Sequence, residues 1–480
     1  MRAISSSFVC LALVASLACA TNPVTGKREL SLLSEAQEIA IGQQADAEVR
    51  RDMGVYDDPE LQRYVSDIGD RLAKLSHRPH LPWQFTVVDH PAINAFALPG
   101  GYIYITRGIL PYLDDEAELA GVLGHEIAHV TARHAAQQYT RATGGSLGLL
   151  ALSIFVPATQ PFGDLASMGL GLAFLKYGRG DENESDRIGM EYATQGGWDP
   201  RGVPGFLGTL AKVNETSERG VPNWLSTHPE PGARVVDTEP LAAKLASSST
   251  AGTERNRDGY RERIDGIVVG DNPKDGIVRG HVFLHPALRF ALDFPEGWDV
   301  MNTPTQVAAR EPGQPHYMLL QPVDQPRGRS SEEIAINSMR SSGFKRLDGS
   351  RTTLNGLDAH IGLYQGSIQG VGDVIMRAAH IVNGRQAYVF AGFAPRDQFD
   401  RIDGEIAKSL QTFRPLTARE AGEIHPNRLD YYVVRPGDTW QSIASRGGSL
   451  VRASELAIMN RYEVNDQPKP GDRIKIVVSG

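Results

Sequence analysis

Residues 114–141 read DDEAELAGVLGHEIAHVTARHAAQQYTR, and the rest of the chain can be interpreted around this stretch. Asp114 and Asp115 are residue types that favour the start of a helix. The residues that follow are mainly Ala, Leu, Glu and Gln, without proline, so the stretch predicts a single helix. Its apolar residues are too dense for a solvated face. We therefore expect a buried helix whose polar side chains have partners.

Three of these polar side chains, His125, Glu126 and His129, form the pattern His-Glu-x-x-His. Histidines four positions apart project from one face of a helix, one turn apart. Two imidazoles placed in this way can bind one zinc ion, and the adjacent glutamate can take a proton from a metal-bound water. The pattern is typical of zinc metallopeptidases, although two histidines and a glutamate also occur together on solvated helices.

A third zinc ligand has to come from elsewhere in the chain. His134 lies nine residues after His125, on the opposite face of a continuous helix at roughly 100° per residue, so we expect a surface or supporting histidine there. Ala132 and Ala135 occupy the positions where an extended metzincin pattern has Gly and His.

The stretch 176–190, KYGRGDENESDRIGM, supplies carboxylates instead. Glu182 and Asp186 are four residues apart and share a helix face. Glu182 can bind the metal, and Asp186 can orient a histidine ligand. On its own the stretch would fit the acidic start of a solvated helix equally well.

These stretches together resemble the HtpX/BepA-like zinc metallopeptidases, a family that includes the CAAX prenyl endopeptidases. The resemblance runs through NPVTG at 22–26, NAFALPGG at 94–101, HEIAH at 125–129 and ENESD at 182–186. The family pairs HExxH with ExxxD, usually with Ala before the Asp, where this chain has Ser185. The resemblance implies that His125, His129 and Glu182 bind one zinc ion and that Glu126 is the general base.

The resemblance also implies a mainly helical, gluzincin-type metallopeptidase domain with a small sheet, over residues 20–241. In the family, the strand beside the active-site helix is an edge that pairs with extended substrate, and here Tyr102–Thr106 is the expected strand; an interior strand is the alternative. Residues 146–178 are apolar and rich in glycine, which predicts a helical hairpin that is a lid, a membrane contact or simply core.

A third element of the resemblance is LSTHPEPGAR at 225–234. A peptidase that uses water as its nucleophile has to stabilise an oxyanion, and His228 or Arg234 could do so. In BepA-like relatives, the histidine at this position can also sit on the metal and keep the enzyme latent. Ordinary loop packing remains the alternative for both residues.

The N-terminus predicts export. Arg2 precedes an apolar run at 8–18 that is too short to span a membrane stably, which is typical of a secretory signal over residues 1–19. SLAC at 16–19 is an imperfect lipobox that would leave Cys19 lipidated, and ordinary cleavage after a small residue is the alternative. We favour the lipoprotein. Because no Asp follows Cys19, we expect the outer membrane of a Gram-negative bacterium.

The length of 480 residues predicts several domains, and we expect an α+β chain. The net charge of −8 gives no indication of nucleic-acid binding. The only cysteines are Cys10 and Cys19, so no disulfide framework or CxxC zinc site follows them. A polar linker is expected at 242–265. Residues 266–415 predict an α+β domain with an antiparallel sheet, weakly similar to the PsbP/Mog1-like fold. This domain has scattered histidines, at 285, 360 and 380, that predict packing rather than ligands.

After a second linker at 416–429, residues 430–480 resemble a βααβ LysM domain, which implies a groove for peptidoglycan. Trp440 is either a sugar platform or a packing residue. The whole chain therefore predicts a periplasmic zinc metalloendopeptidase that degrades misfolded or stalled envelope proteins and is held near the wall. Two alternatives stay open: a wall-binding scaffold or chaperone with a latent metal site, and a peptidoglycan endopeptidase.

Overall fold

The computed structural model describes residues 19–144, 177–216, 224, 227–248, 252–324 and 329–480. The predicted signal segment up to residue 18 and the apolar segment 146–176 lie outside these residues. The described chain is a mixed α+β protein with a helical N-terminal unit, a sheet-rich middle unit and a small C-terminal unit. Within these described ranges, no helix is both long enough and apolar enough to cross a membrane.

The helices alternate with short strands in the N-terminal unit and are sparse after residue 264. They are α1 (Glu35–Met53), α2 (Pro59–Leu75), α3 (Glu116–Thr131), α4 (His134–Gly144), α5 (Arg179–Gln195), α6 (Gly202–Thr216), α7 (Pro231–Ala246), α8 (Arg257–Ile264), α9 (Ser331–Ser341), α10 (Phe399–Gln411), α11 (Ala418–Gly422), α12 (Trp440–Arg446) and α13 (Ala453–Met459). Short 3₁₀ helices occupy Arg107–Tyr112 and Pro273–Asp275.

Within the described ranges, the strands form five separate sheets. They are β1 (Cys19–Thr21), β2 (Arg28–Leu30), β3 (Gln84–Val88), β4 (Ala95–Leu98), β5 (Tyr102–Thr106), β6 (Val268–Val269), β7 (Ile277–Arg279), β8 (Val282–His285), β9 (Phe290–Asp293), β10 (Asp299–Asn302), β11 (Val307–Arg310), β12 (Tyr317–Val323), β13 (Lys345–Leu354), β14 (Leu357–Ile368), β15 (Gly372–Asn383), β16 (Gln386–Pro395), β17 (Arg414–Pro415), β18 (Asn427–Val433) and β19 (Arg473–Ser479).

The stretch 114–141 forms two helices, so the prediction of one continuous helix is wrong. Helix α3 begins after Asp115, whose side chain accepts a hydrogen bond from the backbone N–H of Glu118, and all of its residues are buried. The break follows at Arg133, whose φ of 62° lies in the left-handed region. The Arg133 guanidinium donates to Glu38 and to the carbonyl of Leu33. These contacts to the N-terminal part of the chain hold the turn.

Strand β5 is the central strand of a three-stranded sheet, so the prediction that it is an edge is wrong. The order is β3-β5-β4, with β3 parallel and β4 antiparallel to β5. The Pro-Gly-Gly turn at 99–101 folds β4 back onto one side of β5, and β3 covers the other side. Strand β4, which contains the AFAL of the NAFALPGG stretch, is the edge that lies nearer α3.

The middle unit has the expected antiparallel sheet, with seven strands in the order β10-β11-β12-β16-β15-β14-β13. Its core is separate from that of the N-terminal unit. Helix α9 packs against this sheet, and the residues of its edge strand β13 are mostly exposed and polar. His360 and His380 face each other across β14 and β15 and are fully buried.

The predicted linker 242–265 is mostly regular structure. It contains the end of α7 and all of α8, whose Tyr260 and Ile264 are buried in the N-terminal core. Its arginines pair with the acidic start of α3: Arg255 with Asp115, and Arg257 and Arg261 with Asp114. This segment therefore caps the helix that carries the HEIAH stretch.

The C-terminal βααβ unit packs directly on the N-terminal unit. Its strand β18 pairs with both β19 and β6, and Met459 and Val477 belong to the same core as α3. Trp440 is buried, and its Nε1 donates to the carbonyl of Asp466, so it is a packing residue.

Lys475 is a deeply buried charged group of this contact. Its Nζ donates to the carbonyls of Pro111 and Leu113, both at 2.7 Å, just before α3 begins. Burial lowers the pKa of Lys475 to about 7, although the nearby Asp114 acts in the opposite direction. Arg461 adds hydrogen bonds to Glu118 and to the carbonyl of Gly205. The C-terminal unit therefore supports the start of α3.

Replacing Lys475 by Met should lower the free energy of unfolding by about 2–4 kcal/mol, because two buried carbonyls lose their donor while the apolar stem is kept. Urea unfolding followed by tryptophan fluorescence measures the change. The matched control is Lys469→Met, an exposed lysine of the same unit, which should change the value by less than about 0.5 kcal/mol. Equal unfolding midpoints for the two variants would contradict a supporting role for Lys475.

Candidate metal centre

Helices α3 and α5 approach each other unusually closely at two glycines. A Cβ added at Gly124 would lie 2.8 Å from the Gly189 carbonyl oxygen, and one added at Gly189 would lie 2.7 Å from the backbone nitrogen of His125. Neither contact is possible for a larger residue without moving a helix. The contact brings the HEIAH stretch of α3 directly against the carboxylates of α5.

Four buried side chains converge where these helices meet. Nitrogen atoms of His125, His129 and His228 and a carboxylate oxygen of Glu182 all lie within 4.8 Å of one another. His125 and His129 come from α3, and Glu182 comes from the first turn of α5. His228 lies just before α7 and is also buried.

The spacing of these atoms fits a zinc ion. With Zn–N and Zn–O bonds of about 2.0–2.1 Å, neighbouring ligand atoms of a tetrahedron are about 3.3 Å apart. The Nε2 atoms of His125 and His129 are 3.0 Å apart, and Nδ1 of His228 lies 3.3 Å from Nε2 of His125. A Glu182 oxygen lies 3.0 Å from His228 Nδ1 and 3.5 Å from His129 Nε2. Three imidazoles and one carboxylate are also the ligand types that zinc prefers.

Glu126 lies beside this cluster with both of its carboxylate oxygens buried and without a hydrogen-bond partner. The nearest cation is the Nε2 atom of His228, 3.5 Å from Oε1. Burial raises the pKa of Glu126, while His228 and His125 act in the opposite direction. A buried carboxylate that lacks partners and holds a proton more readily than usual is suited to accepting and returning one.

Asp186 and Arg234 contact the side chains of the cluster on the side away from its centre. Asp186 accepts a hydrogen bond from Nδ1 of His125 at 2.8 Å, which leaves Nε2 of that ring with its lone pair toward the cluster. The Arg234 guanidinium donates to both oxygens of Asp186 and lies 2.6 Å from Glu182. Burial alone would raise the pKa of Asp186, but Arg234 and His125 more than offset it and hold the pKa well below its usual range.

Two aromatic rings form the walls of the site. Tyr177 stacks on His129, with ring centroids 3.8 Å apart, and Trp224 stacks on His228 at 4.7 Å. The guanidinium carbon of Arg234 lies 4.9 Å above the Trp224 ring. These contacts fix the planes of the imidazoles and exclude water from their faces.

Two parts of the chain match known protein families. Residues 59–240 match the model of peptidase family M48, and residues 432–477 match the LysM domain. This chain contains a peptidase family M48 domain and a LysM domain. The buried donor set lies within the M48 domain.

Several relatives share the M48 domain. The β-barrel assembly-enhancing protease of Yersinia pestis is 33% identical over 48% of this chain and 49% of its own length. The protein of the same name from Escherichia coli K12 is 26% identical over 91% of this chain and 88% of its own length. The mitochondrial metalloendopeptidase OMA1 of Schizosaccharomyces pombe is 33% identical over 44% of this chain and 63% of its own length. The chain thus spans about half the length of the Yersinia relative.

One similar solved structure is the cyanobacterial PsbP (CyanoP) from Synechocystis. It is similar over 29% of this chain and 95% of its own length, with 10% sequence identity and a TM-score of 0.23. The PsbP/Mog1-like fold of residues 266–415 stays a prediction at this level of similarity.

All seven predicted site residues lie in the buried cluster of the M48 domain; they are His125, Glu126, His129, Glu182, Asp186, His228 and Arg234. Sequence reasoning allowed a supporting role for His134 but named none of three contacts around His129. Tyr177 stacks on His129, and the pair of His134 and Glu184 lies behind the same ring. The periodicity of a continuous helix placed His134 on the opposite face, and only the break at Arg133 brings it back.

Proposed function

We propose that the M48 domain is a gluzincin-type endopeptidase site in which His125, His129 and Glu182 hold the zinc ion. The observation that carries this proposal is the buried His-His-Glu-His donor set beside the unpartnered carboxylate of Glu126. Buried groups without partners are costly, so their concentration at one point supports a functional site.

Zinc bound there supplies a Lewis acid for a peptide carbonyl and for the attacking water. Glu126 accepts a proton from that water and returns it to the leaving amine. Its raised pKa suits both steps. His228 is in position to donate to the developing oxyanion once its ring leaves the donor set, because its Nε2 has no hydrogen-bond partner.

Arg234 has a different role from the one that the sequence suggested. Its guanidinium is committed to Asp186 and Glu182 at 2.6–2.8 Å. We therefore assign Arg234 to holding these two carboxylates rather than to the oxyanion. Asp186 in turn orients His125, so that both metal-facing groups are fixed before a metal binds.

The fourth donor, His228, gives the site the character of a latent enzyme. A zinc site with four protein ligands is closed, whereas a catalytic site keeps one position open. This observation favours a resting form in which His228 occupies that position and has to move away before hydrolysis. It also keeps the second candidate function, a wall-binding scaffold with a permanently latent metal site.

The edge strand β4 is the proposed docking site for extended polypeptide. A slot beside it is lined by Ala97, Leu98 and Pro99 on one side and by His129 and Tyr177 on the other. Backbone pairing to a strand edge selects unfolded or extended segments with little side-chain preference. Such selection suits an enzyme that acts on misfolded or stalled chains.

The cell envelope is the proposed location. Relatives named β-barrel assembly-enhancing proteases and the LysM domain, which implies peptidoglycan as a partner, both support it. We propose a periplasmic enzyme of a Gram-negative bacterium, exported by residues 1–19 and anchored in the outer membrane through a lipid on Cys19. Its role is the degradation of misfolded or stalled envelope proteins. The LysM domain also keeps a third candidate, a peptidoglycan endopeptidase.

Replacing Glu126 by Gln should lower casein hydrolysis by about 10²–10⁴-fold, because the amide cannot accept a proton. Zinc content should remain at about one ion per chain, because Glu126 is not among the donors. The control is Glu191→Gln, a partly exposed glutamate of α5, which should leave both values unchanged. Full activity of the Glu126 variant would refute the mechanism, and zinc without hydrolysis in the wild type would favour the latent scaffold.

Replacing His228 by Ala should open the fourth position on the metal. A small hydroxamate, which chelates zinc, should then bind at least about tenfold more tightly to the zinc-loaded variant than to the wild type, because no side chain has to be displaced. Isothermal titration calorimetry measures both affinities. Equal affinities would mean that His228 does not close the site.

Purified sacculi distinguish the third candidate. The wild-type chain should sediment with the sacculi through its LysM domain without releasing soluble fragments, and Glu126→Gln should sediment equally well. Chromatography of the supernatant measures the release. Fragments released by the wild type but not by Glu126→Gln would identify a peptidoglycan endopeptidase instead.

A further inference from the structure

His134 is the first residue of α4 and is completely buried against the metal centre. The helix break at Arg133 turns His134 toward the metal centre. As a result, the Nδ1 atom of His134 lies 3.0 Å from Nδ1 of His129. Its other nitrogen, Nε2, lies 3.2 Å from a carboxylate oxygen of Glu184. The ring is thus inserted between a predicted zinc ligand and a carboxylate of α5.

The proton positions follow from the partners. An ionised carboxylate only accepts hydrogen bonds, so His134 has to carry its proton on Nε2 when it faces Glu184. A neutral imidazole with its proton on Nε2 has a lone pair on Nδ1. That lone pair faces Nδ1 of His129, which therefore has to be the donor.

The consequence for His129 is a fixed tautomer. With its proton on Nδ1, its Nε2 atom has the lone pair, and this atom faces the donor set, 3.0 Å from Nε2 of His125 and 3.5 Å from Glu182. Ser185 lies 3.4 Å from Nδ1 of His134 and adds a longer contact to the same nitrogen.

The two α3 histidines are therefore held in the same way. Asp186 accepts directly from Nδ1 of His125, whereas Glu184 acts on Nδ1 of His129 through His134. Both carboxylates belong to α5, as does the ligand Glu182. One helical segment, residues 182–186, thus supplies a ligand and both orienting carboxylates.

We propose that His134 is a positioning residue of the metal centre, which accepts a hydrogen bond from His129 and, anchored on Glu184, directs Nε2 of His129 to the metal. The inference rests on the proposed zinc site. It adds a residue that the His-Glu-x-x-His and Glu-x-x-x-Asp patterns do not contain.

The test measures zinc affinity of the purified full chain by competition with a chromophoric chelator, so that its readout is independent of hydrolysis. His134→Ala should bind zinc about 10–100-fold more weakly, as is usual when a group that orients a metal ligand is lost. His134→Asn should stay within about threefold of the wild type, because its Oδ1 atom takes the place of Nδ1 as an acceptor. His134→Gln places its amide near the former Nε2 and should resemble the Ala variant.

Glu184→Ala and Glu191→Ala form a second, matched pair on α5. Glu184 is partly exposed, so its removal tests the relay with little risk to folding. We expect Glu184→Ala to weaken zinc binding severalfold and Glu191→Ala to leave it unchanged. Circular dichroism of the metal-free proteins verifies that each variant is folded.

The outcomes separate the inference from the function on which it rests. A wild-type chain that binds no zinc would overturn the proposed zinc site itself. A wild type that binds zinc, together with folded Ala and Asn variants of His134 that bind it equally to each other, would overturn only the positioning role. If His134→Ala does not fold, unchanged zinc affinity in Glu184→Ala and His134→Gln would overturn the role in the same way.

Discussion

The contact of Gly124 with Gly189 is the constraint on which the site depends. It lets the backbones of α3 and α5 touch, so that side chains of ordinary length on the two helices meet at one point. A larger residue at either position would separate the helices and pull Glu182 and Asp186 away from the histidines. The metal centre is therefore as much a consequence of helix packing as of its ligands.

The electrostatics of the site are arranged around an excess of acceptors. Two Nε2 lone pairs and the carboxylate of Glu182 point at the same small volume. The guanidinium of Arg234 carries one positive charge against the two negative charges of Glu182 and Asp186. Such an arrangement is unfavourable without a cation and favourable with one. His228 lies in the same volume. The residues that can bind the metal therefore include the one that can occupy its fourth position.

The LysM domain and the segment 252–264 extend this dependence beyond the M48 domain. Arg255 and Arg257 neutralise the acidic start of α3, and Lys475 holds the carbonyls that precede it. Because α3 buries every one of its residues, water cannot solvate the carboxylates at its start, and these cationic side chains pair with them instead. The carbonyl of Arg255 accepts a hydrogen bond from the N–H of Glu116. The LysM domain is thereby built into the support of α3.

The sequence by itself named the seven residues of the cluster. Helical spacing, which is local and regular, groups His125 with His129 and Glu182 with Asp186. The HEIAH pattern adds Glu126, and the family resemblance adds His228 and Arg234. The order of the small sheet, the return of His134 to the site and the ordered segment at 252–264 were decided by tertiary structure. Each depends on a contact between distant residues, such as Arg133 with Glu38, which no local pattern encodes. Only the folded chain decides which side chains complete a cluster whose members the sequence already names.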